Sequence, residues 1–161
     1  MSLDATPSGP DSNSYCDVAS ADLYHDNRLH NDEWDNAGNQ DKESALIQAT
    51  SMLDDLDWSG SVDLDSDQAL RFPRINLTDK DGRTLDGIPK FLVSATCELA
   101  LSLLRSEDVS PEAATKRIKV ATIEMEYFEA SVSVGTLPEN VHNIVVPYLT
   151  SGNNSVQVVR V

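Results

Sequence analysis

Three aspartates at alternate positions, Asp63, Asp65 and Asp67, come nearest to the spacing of a metal site in this sequence. Carboxylates with this spacing supply the first ligands of a calcium-binding loop. Such a loop also needs a glycine at its sixth position and a bidentate glutamate at its twelfth, where this chain has Gln68 and Arg74. The pattern therefore predicts a solvated acidic loop, and we assign no metal ligands.

Other groups that could do chemistry are isolated in the sequence. His25, His30 and His142 are not at the spacings of metal ligands, and no Ser or Cys lies in a nucleophile motif. No glycine-rich phosphate loop is present. Cys16 and Cys97 lack a CxxC spacing and are predicted to be free thiols in a reducing cytoplasm. We therefore expect a protein that is not an enzyme and that uses no cofactor.

Charge is distributed unevenly along the chain. The net charge is -15; residues 1–70 contain 16 acidic and 2 basic residues, whereas residues 71–161 contain 11 and 10. An acidic half repels phosphate at long range, which disfavours tight, sequence-independent DNA binding. The basic residues cluster at Arg71, Arg74, Lys80 and Arg83 and again at Lys116, Arg117 and Lys119. These clusters could meet phosphate or an acidic neighbouring subunit, and we favour the protein contact.

Apolar periodicity predicts a mainly α fold. Helices are expected from just after Asp17 to near Arg28, from Gln40 to Asp57, from Ile88 to Arg105 and from Pro138 to Leu149. Residues 27–40 are predicted to be a connection anchored by Trp34, and residues 58–87 a long ordered loop. Lys116 to Tyr127 alternates in polarity and predicts a short β-hairpin or one bulged strand.

The predicted architecture is a small helical bundle with this long loop, the short β-element and an extended C-terminal tail. Residues 1–13 are expected to be a flexible arm, residues 14–150 a helical domain, and residues 151–161 a β-prone tail. The tail ends in Val156, Gln157, Val158, Val159, Arg160 and Val161. It could add a strand to a partner's sheet edge, or it could be a frayed terminus. No apolar run approaches the ~20 residues that span a bilayer, so no membrane contact is expected.

Several short segments, in order along the chain, carry a resemblance to a known family. They include Asn13-Ser14-Tyr15, residues 45–50, Trp58-Ser59-Gly60, residues 123–127 and Pro147-Tyr148-Leu149. Over residues 13–150 the chain resembles small tailed-bacteriophage proteins that act as head-to-tail adaptors. Genomes often label such proteins DnaT-like single-stranded DNA-binding proteins.

The resemblance implies a structural protein of the virion neck, made in the host bacterial cytoplasm. Its partners would be its own copies in a dodecameric ring, the portal protein, a downstream tail or neck protein, and genomic duplex DNA that passes through without specific binding. Residues 156–161, with Arg71, Arg74, Lys116, Arg117 and Lys119, would bind the portal or a neighbouring subunit. The alternative is a single-stranded DNA-binding replication accessory protein, which needs a basic groove with stacking aromatics. The 6% aromatic content and the charge of -15 speak against it.

Overall fold

The computed structural model describes residues 2–105 and 137–150, which are mainly helical, as the sequence predicts. The helices in these ranges are α1 (Val18–His25), α2 (Asp32–Asn36), α3 (Asn39–Asp54), α4 (Lys90–Leu104) and α5 (Glu139–Val145), and a 3₁₀ turn, Val146–Tyr148, follows α5. Two short strands, β1 (Ser61–Val62) and β2 (Arg74–Ile75), lie between α3 and α4. No helix in the described ranges is both long and apolar enough to cross a bilayer.

The core is centred on α3 and α4, which pack against each other. The fully buried positions recur at three- and four-residue intervals: Leu46, Ala49 and Leu53 on α3, and Leu92, Ala95 and Leu99 on α4. Residues at these intervals share one face of a helix, so each helix buries one stripe. α5 packs on α4 and buries Val141 and Val145. Each fully buried leucine contributes roughly 1.5–3 kcal/mol, so this stripe pairing is a main source of stability.

The start of α1 agrees with the prediction, whereas α2 was not predicted. The Asp17 carboxylate accepts a hydrogen bond from the Ser20 amide at 2.7 Å and caps α1. The predicted connection before α3 contains α2, and its Trp34 is only 1% exposed. The Trp34 indole donates to the Asp22 carboxylate at 2.8 Å. Burial of this ring stabilises a helix that the Asn- and Asp-rich sequence does not indicate.

The long loop between α3 and α4 is ordered by main-chain pairing. β1 and β2 are antiparallel, with Ser61 opposite Ile75 and Val62 opposite Arg74. Further along, Thr78 pairs with Thr84 and closes a turn. These pairings are too short to give a polarity alternation in the sequence, so they were not predicted. The β-element predicted at residues 116–127 lies outside the described residues.

Residues 2–13 form a loop closed by hydrogen bonds, where the composition predicts a flexible arm. The Asn13 amide donates to the Asp4 carbonyl at 2.9 Å, and the Asp4 amide donates to the Asn13 side chain at 2.8 Å. The Ala69 amide donates to the Gly9 carbonyl at 3.0 Å, which ties this loop to the long loop. The amino-acid composition of a segment carries no information about such long-range pairing. The domain boundaries stay predictions, and residues 151–161 lie outside the described residues.

Candidate nucleic-acid interface

Five aromatic side chains from distant parts of the chain form one cluster: Tyr15, Trp58, Phe72, Phe91 and Tyr148. Phe72 makes edge-to-face contacts with Tyr15 and Trp58, at centroid distances of 5.7 Å and 5.0 Å. Phe91 lies 6.0 Å from Trp58, and it stacks on Tyr148 at 3.7 Å with 6° between the planes. The first three rings are buried, whereas Phe91 and Tyr148 are half-buried. The cluster therefore reaches the surface at the stacked pair.

Main-chain hydrogen bonds connect the segment that carries Trp58 to the segment that carries Tyr148. Phe91 lies in the first turn of α4, and Tyr148 ends the 3₁₀ turn after α5. Trp58 pairs with Leu149 in an antiparallel bridge, and the Ser59 amide donates to the Tyr148 carbonyl at 2.9 Å. The segment that carries Tyr148 is therefore fixed against the segment that carries Trp58.

Arg74 is a buried cation beneath this cluster. Its side chain donates to the carbonyls of Ser59 at 2.8 Å, Gly60 at 3.0 Å and Trp58 at 3.2 Å, and its guanidinium carbon lies 5.9 Å from the Phe72 ring centroid. Burial lowers the pKa of Arg74 from its ordinary value. Its donors are used within the fold, so we assign it to the support of the aromatic cluster.

Four exposed basic side chains lie in the same stretch of sequence as Arg74. Residues 71–90 contain five basic residues and three acidic ones. Arg71, Lys80, Arg83 and Lys90 are exposed, and none forms an ion pair within the described residues. Lys80 and Arg83 lie in the turn between Thr78 and Thr84. This turn is held by the Asp79 carboxylate, which accepts from the amides of Asp81 and Arg83 at 2.9 Å each.

The remaining described cations are paired with carboxylates. Lys42 Nζ lies 2.8 Å from Asp22 Oδ1, Arg105 Nε lies 3.2 Å from Glu33 Oε2, and Arg28 Nη2 lies 3.7 Å from Glu98 Oε1. Their charges are locally compensated. The uncompensated positive charge of the described residues is therefore concentrated in residues 71–90, close in sequence to Phe91.

A family model described as "Putative DnaT-like ssDNA binding protein" matches residues 1–161. The chain belongs to this DnaT-like family. No curated protein and no solved structure matches it.

The DnaT-like match overturns the assignment as a head-to-tail adaptor. Nothing in the match indicates a dodecameric ring, a portal or tail partner, a virion neck or a channel for duplex DNA, so those predictions were wrong. The matching segments are short helix and loop patterns, which do not by themselves distinguish a virion protein from a DNA-binding one. The net charge of the whole chain also does not describe the local excess of basic residues at 71–90.

The structure describes two of the predicted contact residues, Arg71 and Arg74, and they differ in solvent exposure. Arg71 is exposed, whereas Arg74 is 9% exposed and bonded to main-chain carbonyls. Their side chains therefore have different environments although they are close in sequence. Lys116, Arg117 and Lys119 and the tail residues Val156 to Val161 lie outside the described residues, and their role stays a prediction.

His25 is the most unusual titratable group of the described residues. It is fully buried, it lies 4.5 Å from the Trp34 ring centroid, and neither ring nitrogen has a hydrogen-bond partner in the described part of the chain. Burial lowers its pKa, so the neutral imidazole is favoured. Within residues 2–105 and 137–150, no three His, Cys, Asp or Glu side chains are grouped so that they could hold a metal ion.

Cys16 and Cys97 face each other in the core. Both are reduced and buried, and their sulfur atoms are 3.9 Å apart. The contact with Cys16, together with burial, raises the pKa of the Cys97 thiol, which disfavours the reactive thiolate. We therefore assign these thiols to packing within the core.

Sequence reasoning missed the Phe91–Tyr148 stack. Each ring lies close after a proline, Pro89 or Pro147, at the edge of a predicted helix. The available signal was an aromatic residue near each helix end, in one case directly after Lys90. The signal is weak, since nothing local indicates that two such helix ends meet.

Proposed function

We propose that this chain binds single-stranded DNA and acts as a replication accessory protein. The observation that carries the proposal is the match of the DnaT-like family model to residues 1–161. Binding is the whole of the proposed activity, so we assign no catalytic group and no cofactor. The proposal assumes that the protein acts in the bacterial cytoplasm, where the sequence predicts its synthesis.

The distribution of charge supports this proposal. Proteins that bind single strands without sequence preference combine a cationic surface with aromatic rings. Here Arg71, Lys80, Arg83 and Lys90 are exposed, and the half-buried Phe91 follows Lys90 directly. We propose that these four side chains contact the phosphates.

A net charge of -15 is compatible with such a contact. At an ionic strength of 0.1 M the Debye length is about 10 Å, so acids farther away than this repel the strand only weakly. Binding should therefore be salt-dependent and modest in affinity, and it should require that the strand stay close to the exposed cations of residues 71–90.

The test is the fluorescence anisotropy of a labelled oligothymidine, titrated with the full chain at low salt. We expect a saturable rise in anisotropy and weaker binding to a duplex of the same length. A chain that leaves the oligothymidine unbound at low salt would refute the proposal.

Two double variants locate the contact. Lys80→Gln/Arg83→Gln removes two exposed cations, and Arg28→Gln/Arg105→Gln removes two cations that pair with Glu98 and Glu33. Both change the net charge equally, so a difference between them reflects position. We expect clearly weaker binding for the first variant and nearly unchanged binding for the second. Equal losses would contradict the assigned phosphate contacts.

A further inference from the structure

We infer that Tyr148, supported from behind by Phe91, is a stacking platform for one nucleobase of the bound strand. This inference rests on the proposed function and specifies where a base, rather than a phosphate, is held. It starts from the geometry of the two rings, which are parallel to within 6° at a centroid distance of 3.7 Å.

Tyr148 is the outermost ring in a series of packed aromatic rings. Phe91 is backed by Trp58 at 6.0 Å and by Phe72 at 6.3 Å. Tyr148, by contrast, has Phe91 as its only ring contact within the described residues. Phe91 covers one face of the Tyr148 ring, and the half-buried side chain keeps accessible surface beyond that contact. In the inferred arrangement the base lies on the face of the Tyr148 ring that Phe91 does not cover and extends the series by one ring.

The hydroxyl group of Tyr148 distinguishes it from the other described tyrosines. The Tyr15 hydroxyl is bonded to Asp54, and the Tyr24 hydroxyl is bonded to Glu98 at 2.7 Å. The Tyr148 hydroxyl has no hydrogen-bond partner within the described part of the chain. A tyrosine hydroxyl can both donate and accept a hydrogen bond, so the Tyr148 hydroxyl can bond to the edge of a base.

The platform is rigid and lies next to a cation in sequence. The Tyr148 carbonyl accepts from the Ser59 amide at 2.9 Å, and the Thr150 amide donates to the Asp57 carbonyl at 2.8 Å. Little ordering is therefore needed when a base binds. Lys90 is exposed and lies with Phe91 in the first turn of α4, so a phosphate contact near the platform is part of the inference.

This arrangement selects single strands over duplexes. A base inside a duplex has both faces covered by its neighbours, so it reaches an aromatic ring only after it is unstacked. Stacking is tolerant of sequence because every base has a π-face. The platform therefore predicts a preference for single strands without sequence recognition.

The test compares Tyr148→Leu, which removes the ring, with Tyr148→Phe, which keeps it, in the full chain. The probes are a labelled oligothymidine and an abasic strand of equal length and charge. We expect Tyr148→Leu to bind oligothymidine about 5- to 150-fold more weakly, the range that one base–aromatic stack supplies. Tyr148→Phe should retain most of the affinity, and neither variant should change binding of the abasic strand.

The outcomes separate the two proposals. If the unmodified chain binds neither probe, the proposed function itself fails. If it binds oligothymidine and Tyr148→Leu binds equally well, the stacking platform is overturned while the function stands. Should Tyr148→Leu fail to fold, photocrosslinking of the unmodified chain to a bromodeoxyuridine strand decides the question: a crosslink at Tyr148 supports the platform, and crosslinks only at other residues overturn it.

Discussion

The Arg74 guanidinium donates to the main-chain carbonyl of Trp58 at 3.2 Å, with both residues buried. It also donates to the carbonyls of Ser59 and Gly60, so one side chain satisfies three consecutive carbonyls. The contact with the Trp58 carbonyl is buried and the other two are partly buried, and a buried carbonyl without a donor is costly, so Arg74 stabilises the shape of this segment. The finding places Arg74 inside the fold and leaves Arg71 at the surface.

Replacement of Arg74 by Met should therefore destabilise the protein. We expect the free energy of unfolding to fall by roughly 2–4 kcal/mol, because three carbonyls lose their donor. Arg71→Met, at the exposed position, should change it by at most about 0.5 kcal/mol. Urea denaturation followed by circular dichroism measures both values. Similar values for the two variants would show that the carbonyl contacts contribute little.

Gly60 and Gly82 share a left-handed backbone conformation but differ in the space available for a Cβ atom. Both have positive φ, +73° and +79°, but a Cβ on Gly60 would lie 2.7 Å from the Ile75 carbonyl oxygen, whereas a Cβ on Gly82 would meet nothing within 4 Å. Gly82→Ala should cost about 1 kcal/mol, the ordinary penalty for a left-handed conformation. Gly60→Ala should cost clearly more, because the strand pair must also move. Thermal unfolding of both variants measures the difference, and equal midpoints would argue against the close approach.

Stability should depend on pH through His25. Burial lowers the folded-state pKa of His25 below its ordinary value, so the unfolded chain binds the proton more readily than the folded chain. The stabilising contribution is thus complete above the unfolded pKa and is lost as pH falls below it. One differential proton changes the free energy of unfolding by at most about 1.4 kcal/mol per pH unit.

The charged groups that act on His25 are Glu98, Arg28 and Asp22. We expect the free energy of unfolding to decrease between pH 7 and pH 5 in the original chain and to decrease less in His25→Phe. Urea denaturation at several pH values provides the measurement. A His25→Phe variant with the same pH profile would assign the effect to other groups.

The salt dependence of DNA binding should report the number of phosphate contacts. For single strands, each neutralised phosphate contributes about -0.7 to the slope of log K against log salt concentration. One phosphate contact from each of the four exposed cations predicts a slope of about -2.8, and Lys80→Gln/Arg83→Gln should reduce it to about -1.4. Anisotropy titrations at several salt concentrations give these slopes. An unchanged slope in the double variant would place the contacts elsewhere.

The sequence predicted the parts of the fold that depend on local pattern. The stripes of α3 and α4 follow from residues three and four apart, such as Ala45 and Ala49, because these spacings define one helical face. The helix α2 and the β1–β2 pair were missed, since both depend on distant partners, as Trp34 does on Asp22. The stacked pair of the candidate site was missed for the same reason. Residue types alone could indicate the cations, but they could not separate exposed Arg71 from buried Arg74.

The antiparallel pairing of Trp58 with Leu149 has a consequence for how the protein is made. The segment that follows α3 meets its partner only after the end of α5 has left the ribosome. Until then the nascent polypeptide has Phe91 without Tyr148 stacked on it and Trp58 without its partner Leu149. Contacts between residues so far apart slow folding, and apolar surface that is exposed in the meantime invites chaperone binding or aggregation. Residues 58–149 must therefore all emerge from the ribosome before this antiparallel pairing can form.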